Sequence, residues 1–257
     1  CGGLHFVNEL KKAGYTRRVS CCETVTLTYI CRMEGPTTVG IYAKVKNLLF
    51  GAFPAQNSED LFATIKSLYS EILPASNVLE TALSNMNAVF HPPGMLMNTG
   101  WVESTGGDFL FYRQGMSPAV GRVTAVVDKE RMAVAKALGV KTRSFLDNFF
   151  EAGLTTKEAR DSNDISRACY ESMPNRTIKS PSSLDDRYIH EDVGYGLVPM
   201  SELGRMVQVS TPTIDAIIRL VSDATDIPYY RDGLTLEKMG INNLDKDSLQ
   251  RYITQGS

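Results

Sequence analysis

The periodicity of apolar residues changes near residue 77, and this switch constrains the fold more than any other feature of the chain. Upstream, residues 18–25, 29–33, 38–45 and 48–53 are short β-prone runs, with turn signals at Gly35-Pro36 and Lys46-Asn47. Two helical patterns flank them. Leu4, Phe6, Val7 and Leu10 lead into a basic turn and Gly14, while Leu61, Phe62, Ile65, Leu68, Tyr69 and Ile72 form a stripe over 58–72 with Ser58 as its cap. Downstream of residue 77 the β signals nearly vanish, and apolar residues recur at spacings of three and four. The chain is therefore expected to be α/β plus all-α, with an α/β part over 1–76 and a helical part over 77–257. The first part is short for a complete doubly wound domain, so its front half is expected to be missing. A first residue Cys1, with no initiator methionine and no signal-peptide pattern, is read the same way, as truncation.

In the second part, 77–89 carries Val78, Leu79, Ala82, Leu83, Met86 and Val89 on one helical stripe. His91 follows, and Pro92, Pro93 and Gly94 predict that the helix kinks or stops there. Residues 118–138 read as a long helix with Pro118 at its start and Gly139 beyond its end, and Asp128, Lys129, Glu130 and Arg131 read as a solvated patch on it. Further helices are expected over 144–152, 164–173, 211–224 and 244–253, with Thr211-Pro212 as a capped start. Between them, 101–111 reads as a polar and aromatic connector, Thr105-Gly106-Gly107 as a flexible turn, and 176–183 as a polar surface loop free to move.

A chain of 257 residues with 43% hydrophobic content can bury a sizeable core. Its formal net charge of -2, with no basic run, argues against nucleic acid or an anionic membrane as partner, and no apolar run is long enough to span a bilayer. Cys1, Cys21, Cys22, Cys31 and Cys169 are odd in number and show no CxxC spacing. Neither a disulfide framework nor a metal site is expected, and a cytoplasmic location follows.

Two stretches carry ionisable residues in an unusual setting. In NMNAVFHPPGMLMNTG (85–100), His91 sits at the expected helix break, where its backbone is held while its ring can face a cleft. Taken alone it reads first as a satisfied core histidine, and a carboxylate partner is what would make it an acid/base group. In LDDRYIHEDVGYGLVP (184–199), Asp185, Asp186, Arg187, Glu191 and Asp192 read first as a charged surface face. Arg187 and Asp192 are five apart and would meet only if the chain turned at Asp192, which Gly194 and Gly196 make easy. No dinucleotide-binding GxGxxG turn occurs in the sequence.

Three segments in order resemble the opine dehydrogenases of the octopine and nopaline dehydrogenase type: ETVTLTYICR (23–32), NVLETALSNMNAVFHPPGMLMNTG (77–100), and RYIHEDVGYGLVPMSELG (187–204) followed by TPTIDAII. The resemblance implies a Rossmann-type NAD- or NADP-binding domain, here only its C-terminal part, followed by an all-helical domain that completes the active site. It implies reductive condensation of an amino acid with a 2-oxo acid such as pyruvate. It makes His91 the acid/base group, Asp192 its carboxylate partner and Arg187 a clamp for a substrate carboxylate, with Asn87, and equally Asn85, facing the same cleft or bonding at a helix end. Cys31 and Arg32, with Thr24 and Thr26 nearby, would form the cofactor-side wall, and strand packing explains these four equally well. Two other readings stay open: a 2-hydroxy-acid dehydrogenase of the same architecture, and a non-catalytic helical interaction module. No feature fixes the oligomeric state, and a homodimer is one of the states left open.

Overall fold

The sheet is built around β4 (Leu48–Phe53), whose sequence LLFGAF is apolar on both faces and almost wholly buried. In the computed structural model, which describes residues 1–256 apart from the side chain of Arg32, β4 pairs antiparallel with β1 (Cys21–Thr24) and parallel with β5 (Ile72–Pro74). β2 (Tyr29–Gly35) and β3 (Thr38–Lys44) form a separate hairpin. Helices α1 (Gly2–Lys12) and α2 (Ser58–Lys66) complete this α/β part. Gly51 lets α3 (Val78–Leu83) approach the sheet, because a Cβ there would lie 2.7 Å from the Asn77 carbonyl oxygen. Asn77 caps α3, its Oδ1 accepting from the backbone of Leu79 and Glu80.

From there the described chain is helical: α4 (Asn87–Leu96), α5 (Thr99–Thr105), α6 (Pro118–Leu138), α7 (Phe145–Glu151), α8 (Lys157–Asp161), α9 (Ile165–Tyr170), α10 (Arg187–Asp192), α11 (Val198–Met206), α12 (Pro212–Thr225), α13 (Tyr229–Asp232) and α14 (Lys246–Gln255). Two π-helical turns, Phe111–Gly115 and Val193–Leu197, interrupt the series. No described helix is long and apolar enough to cross a membrane. This is the expected class, a partial Rossmann-type α/β part followed by an all-helical one. One continuous apolar core runs through both.

Several local expectations are overturned, each for a physical reason. The helix at 58 stops at Lys66, and Ile72 belongs to β5, where it pairs with Leu48 and is fully buried. Ser58 makes no cap hydrogen bond, and its hydroxyl is buried without a partner. The helical stripe over 77–89 is two helices, broken at 84–86, and the backbone runs helically through Pro92 and Pro93. His91 therefore lies inside α4, not at its end. The prolines remove the N–H groups that would have bonded the Ala88 and Val89 carbonyls, so the price of continuity is two missing ladder bonds.

Of the patch at 128–131 only Lys129 is solvated. Asp128, Glu130 and Arg131 are buried, Arg131 to within 1% of complete. Its guanidinium donates to Asp128 Oδ1 (2.6 and 3.0 Å), to the Arg143 carbonyl (2.7 Å) and to the Leu83 carbonyl, while Asp128 Oδ2 accepts from Phe145 N at 2.8 Å. Thr211 makes no side-chain cap on α12. Glu130 does that work from α6, its two oxygens accepting from Thr213 N and Ile214 N at 2.9 Å each. The connector at 101–111 is partly helical (α5), and Gly106 and Gly107 both hold positive φ. A Cβ on Gly107 would lie 2.3 Å from the Pro181 oxygen, so this turn is a packed joint. Its partner segment, 176–183, is tied down too: Phe111 N donates to Ile178 O, and Ser180 N to Phe109 O.

Candidate active site

α4 and α10 pack side by side next to the π turn that follows α10. Gly196 in that turn makes the approach possible, since a Cβ there would stand 2.4 Å from the Ala88 Cβ on α4. Ala88 is three residues before His91, and Gly196 four after Asp192. The contact brings two ionisable side chains together: His91 Nδ1 lies 2.7 Å from Asp192 Oδ2. Both are buried, at 5% and 8% exposure. The chain makes no turn at Asp192, which remains the last residue of α10 before the π turn.

An anionic carboxylate can only accept, so this contact places the imidazole proton on Nδ1 and leaves Nε2 as the basic atom. Nε2 lies 3.2 Å from the Tyr112 hydroxyl, which is 3.3 Å from the Tyr188 hydroxyl. The Tyr188 ring stacks on the imidazole, centroids 3.5 Å apart and planes within 9°. Tyr188 and Asp192 are four apart on α10, so one helical face supplies both the stack and the carboxylate. Phe90 and Phe111 edge the imidazole, at centroid distances of 4.2 and 5.9 Å. Tyr112 itself comes from the first π turn, an irregularity that often marks functional positions.

His91, Asp192, Tyr112, Tyr188 and Phe90 face a cleft of about 560 Å³. One wall is Thr26, Leu27, Tyr29, Ile30 and Cys31 at the start of the hairpin, with Met33, Val39 and Val45; the other includes Asn87, Phe149, Leu154, Ile178, Ser180 and Arg187. Asn87 thus lines the cleft, while the Asn85 Oδ1 accepts from Asn87 N, a helix-start bond. Cys31 is on the wall. Thr24 is not among the lining residues: its side chain is exposed, and its hydroxyl donates to Thr26 O at 2.8 Å. The side chain of Arg32 lies outside what is described. Arg187 reaches the cleft from the rim, where its fork is held bidentately by Glu191 at 2.7 and 2.9 Å, and that hydrogen-bonded pairing raises its pKa. Ser180 contributes a buried hydroxyl with no hydrogen-bond partner.

The resemblance pairs His91 with Asp192, which the structure brings into contact, and it points to neither tyrosine beside them. For Tyr188 the signal was its i,i+4 spacing to Asp192. Tyr112 has no local signal, because the π turn that aims it is set by tertiary packing. Among the described residues, no group of three His, Cys, Asp or Glu is placed to hold a metal ion.

An α/β part and an all-helical part share a cleft with a buried imidazole–carboxylate pair in its wall. The family described as "NAD/NADP octopine/nopaline dehydrogenase, alpha-helical domain" matches residues 74–225. The chain belongs to that family. It is 36% identical over 247 residues to an opine dehydrogenase of Arthrobacter sp. (strain 1C), covering 95% of this chain and 66% of the relative. It is 24% identical over 238 residues to protein ocs of Agrobacterium tumefaciens (strain Ach5), covering 91% and 64%. Among solved structures, octopine dehydrogenase with NADH and L-arginine superposes with a TM-score of 0.69 at 18% identity, covering 93% of this chain and 65% of that one. Yersinopine dehydrogenase with NADP+ bound gives 0.71 at 17% identity, covering 98% and 69%. The chain spans just under two thirds of the length of the curated relatives it matches.

Proposed function

We propose that the whole protein is an NAD- or NADP-dependent opine dehydrogenase, joining the amine of an amino acid to the keto carbon of a 2-oxo acid such as pyruvate and reducing the resulting imine to an N-(1-carboxyalkyl) amino acid. The observation that carries this reading is the His91–Asp192 pair, 2.7 Å apart and buried beside a cleft. Family membership supports the dinucleotide, and the neighbouring octopine dehydrogenase structures, with NADH and L-arginine or with NADH and pyruvate, support the two substrates. Residues 1–76 are then the C-terminal part of the NAD(P)-binding domain and 77–257 the helical catalytic domain, consistent with every strand among the described residues lying before residue 77. A cytoplasmic location belongs to the same reading, and neither nucleic acid nor membrane enters it.

The apolar wall at Leu27, Ile30 and Cys31 fits a flat nicotinamide ring: Leu27 is 62% exposed with nothing polar required of it. These residues would hold that end of the dinucleotide, which when bound supplies the hydride. The remaining steps fall to this chain's own side chains. His91 Nε2 takes a proton from the substrate ammonium, freeing the amine to attack the keto carbon, and returns it to the keto oxygen. Asp192 supports the imidazolium and keeps the ring from rotating. Arg187 exchanges the Glu191 carboxylate for that of the substrate, one bidentate pair for another, which fixes the keto carbon in the cleft. Asn87 offers a further polar contact from the first turn of α4.

The test is oxidation of NADH or NADPH by the full-length protein with pyruvate plus each of a panel of amino acids, against pyruvate alone. Oxidation that requires the amine, with a product heavier than the amino acid by the pyruvate-derived group, is the expected result. Equal oxidation with pyruvate alone would instead identify a 2-hydroxy-acid dehydrogenase, and none with any pairing would favour the interaction module.

A further inference from the structure

The tyrosine pair beside His91 answers a requirement that a histidine alone meets poorly. Converting an ammonium and a ketone into an iminium and water moves two protons from nitrogen to oxygen: three N–H bonds become one, and the departing oxygen gains two O–H bonds. Nε2 has one lone pair and carries one proton at a time. The Tyr112 hydroxyl stands 3.2 Å from it, in the same cleft, and an oxygen seated against the pair, within reach of each, can accept from Tyr112 and from Nε2 once that atom carries a proton.

We propose that Tyr112 is a second proton donor to the keto-derived oxygen, acting in the water-loss step. This inference rests on the opine reading of the site. The first proton passes from the ammonium to Nε2 and on to the oxygen as the C–N bond forms, giving a carbinolamine. Nε2 then takes the second proton from nitrogen. Tyr112 gives its own proton to the carbinolamine hydroxyl, the C–O bond breaks with its electron pair leaving on water, and the nitrogen lone pair forms the iminium. The tyrosinate recovers a proton from Nε2, so both side chains end as they began. Tyr188 makes the arrangement directional, because its hydroxyl, 3.3 Å from Tyr112 Oη, can donate to that oxygen while Tyr112 donates onward. It also supports the tyrosinate during the step.

Tyr112→Phe tests this without disturbing the aromatic cluster, since the ring that packs on Phe90 and Phe111 remains. In the full-length protein, with pyruvate and the amino acid that gives the highest rate, kcat should fall about 100-fold. Water loss then limits turnover, so with NAD(P)H deuterated at the transferred position the isotope effect on kcat should lie at or near 1. This 257-residue chain carries three histidines, His5, His91 and His190. Ring NMR signals of the substituted chain should change for His91 and stay fixed for the other two, with an unchanged melting temperature. A rate within threefold of wild type would overturn the proposal. So would a large loss that keeps the full isotope effect, since Tyr112 would then act on hydride transfer. A wild-type protein with no amine-dependent oxidation would remove the opine reading and this inference with it, an outcome distinct from an active wild type with an unaffected variant.

Discussion

Arg131→Met should destabilise the fold severely, although it removes a charge that sequence patterning assigns to solvent. Arg131 is the largest fully buried side chain among the described residues, and it ties together three segments around the site: the end of α3 through Leu83 O, the residue before the α7 cap through Arg143 O, and Asp128 on its own helix. Methionine fills much of the volume but donates nothing. Asp128 would keep only the bond from Phe145 N and become a buried carboxylate without its cation, a situation that costs about 3–5 kcal/mol. Two carbonyls would also lose a charged donor, adding about 1 kcal/mol or more. A total of about 4–6 kcal/mol corresponds to a melting temperature lower by about 8–24 °C for a chain of this size. Urea unfolding of the wild type, Arg131→Met, Asp128→Asn and the double variant measures it. The double variant should lose less than the sum of the singles by about 1.5 kcal/mol or more, because the second change relieves the stranded charge. A single-variant loss below about 1 kcal/mol, or strict additivity, would refute the reasoning.

Three further outcomes follow from single contacts. Gly196→Ala puts a Cβ against Ala88 and should cost about 1–3 kcal/mol while pushing the π turn away from α4; chemical denaturation reads the first effect and loss of the His91–Asp192 hydrogen-bonded proton in NMR the second. Ser180→Ala removes a buried hydroxyl that bonds nothing and should raise stability by about 1 kcal/mol in thermal unfolding, whereas a loss of stability would show that the hydroxyl is satisfied. Burial, with Glu23 nearby, pushes the Cys21 thiol up to about 11, above its ordinary value of 9.0. The folded thiol thus stays protonated where the unfolded one ionises, so its contribution is intact below about pH 9 and lost as pH rises toward about 11. Cys21→Ser should flatten the fall in urea midpoint between those values, and an unchanged slope would contradict this.

The chain's class was readable because its determinants are local. Short β-prone runs, turn residues and a Pro-to-Gly frame around α6 predict strands and helices largely where they occur, and α6 matches its expected bounds. The failures share a cause. Arg131 and Glu130 look like a solvated face because their partners, Leu83 O and the start of α12, are brought in from elsewhere in the fold. Ile72 fits a helical stripe as well as a strand, and only its pairing with Leu48 decides. Pro92 and Pro93 predict a break, yet α4 is held on both sides by α6 and α10, whose packing outweighs two missing bonds. His91 and Asp192, 101 positions apart, were paired through resemblance, and residue spacing alone favoured the bland reading of each. Arg187 was expected as a clamp from the same source, but its i,i+4 partner Glu191, visible in the sequence, now holds its fork.

In the proposed reaction His91 moves the protons of an amine-dependent condensation. His91→Asn in the full-length protein, assayed for NAD(P)H oxidation with pyruvate and the preferred amino acid, tests it most directly. The loss should be about 10²- to 10⁴-fold in kcat, with the circular dichroism spectrum and melting transition kept, and pyruvate-only oxidation at background in both proteins. A folded His91→Asn protein that condenses at the wild-type rate would contradict the account.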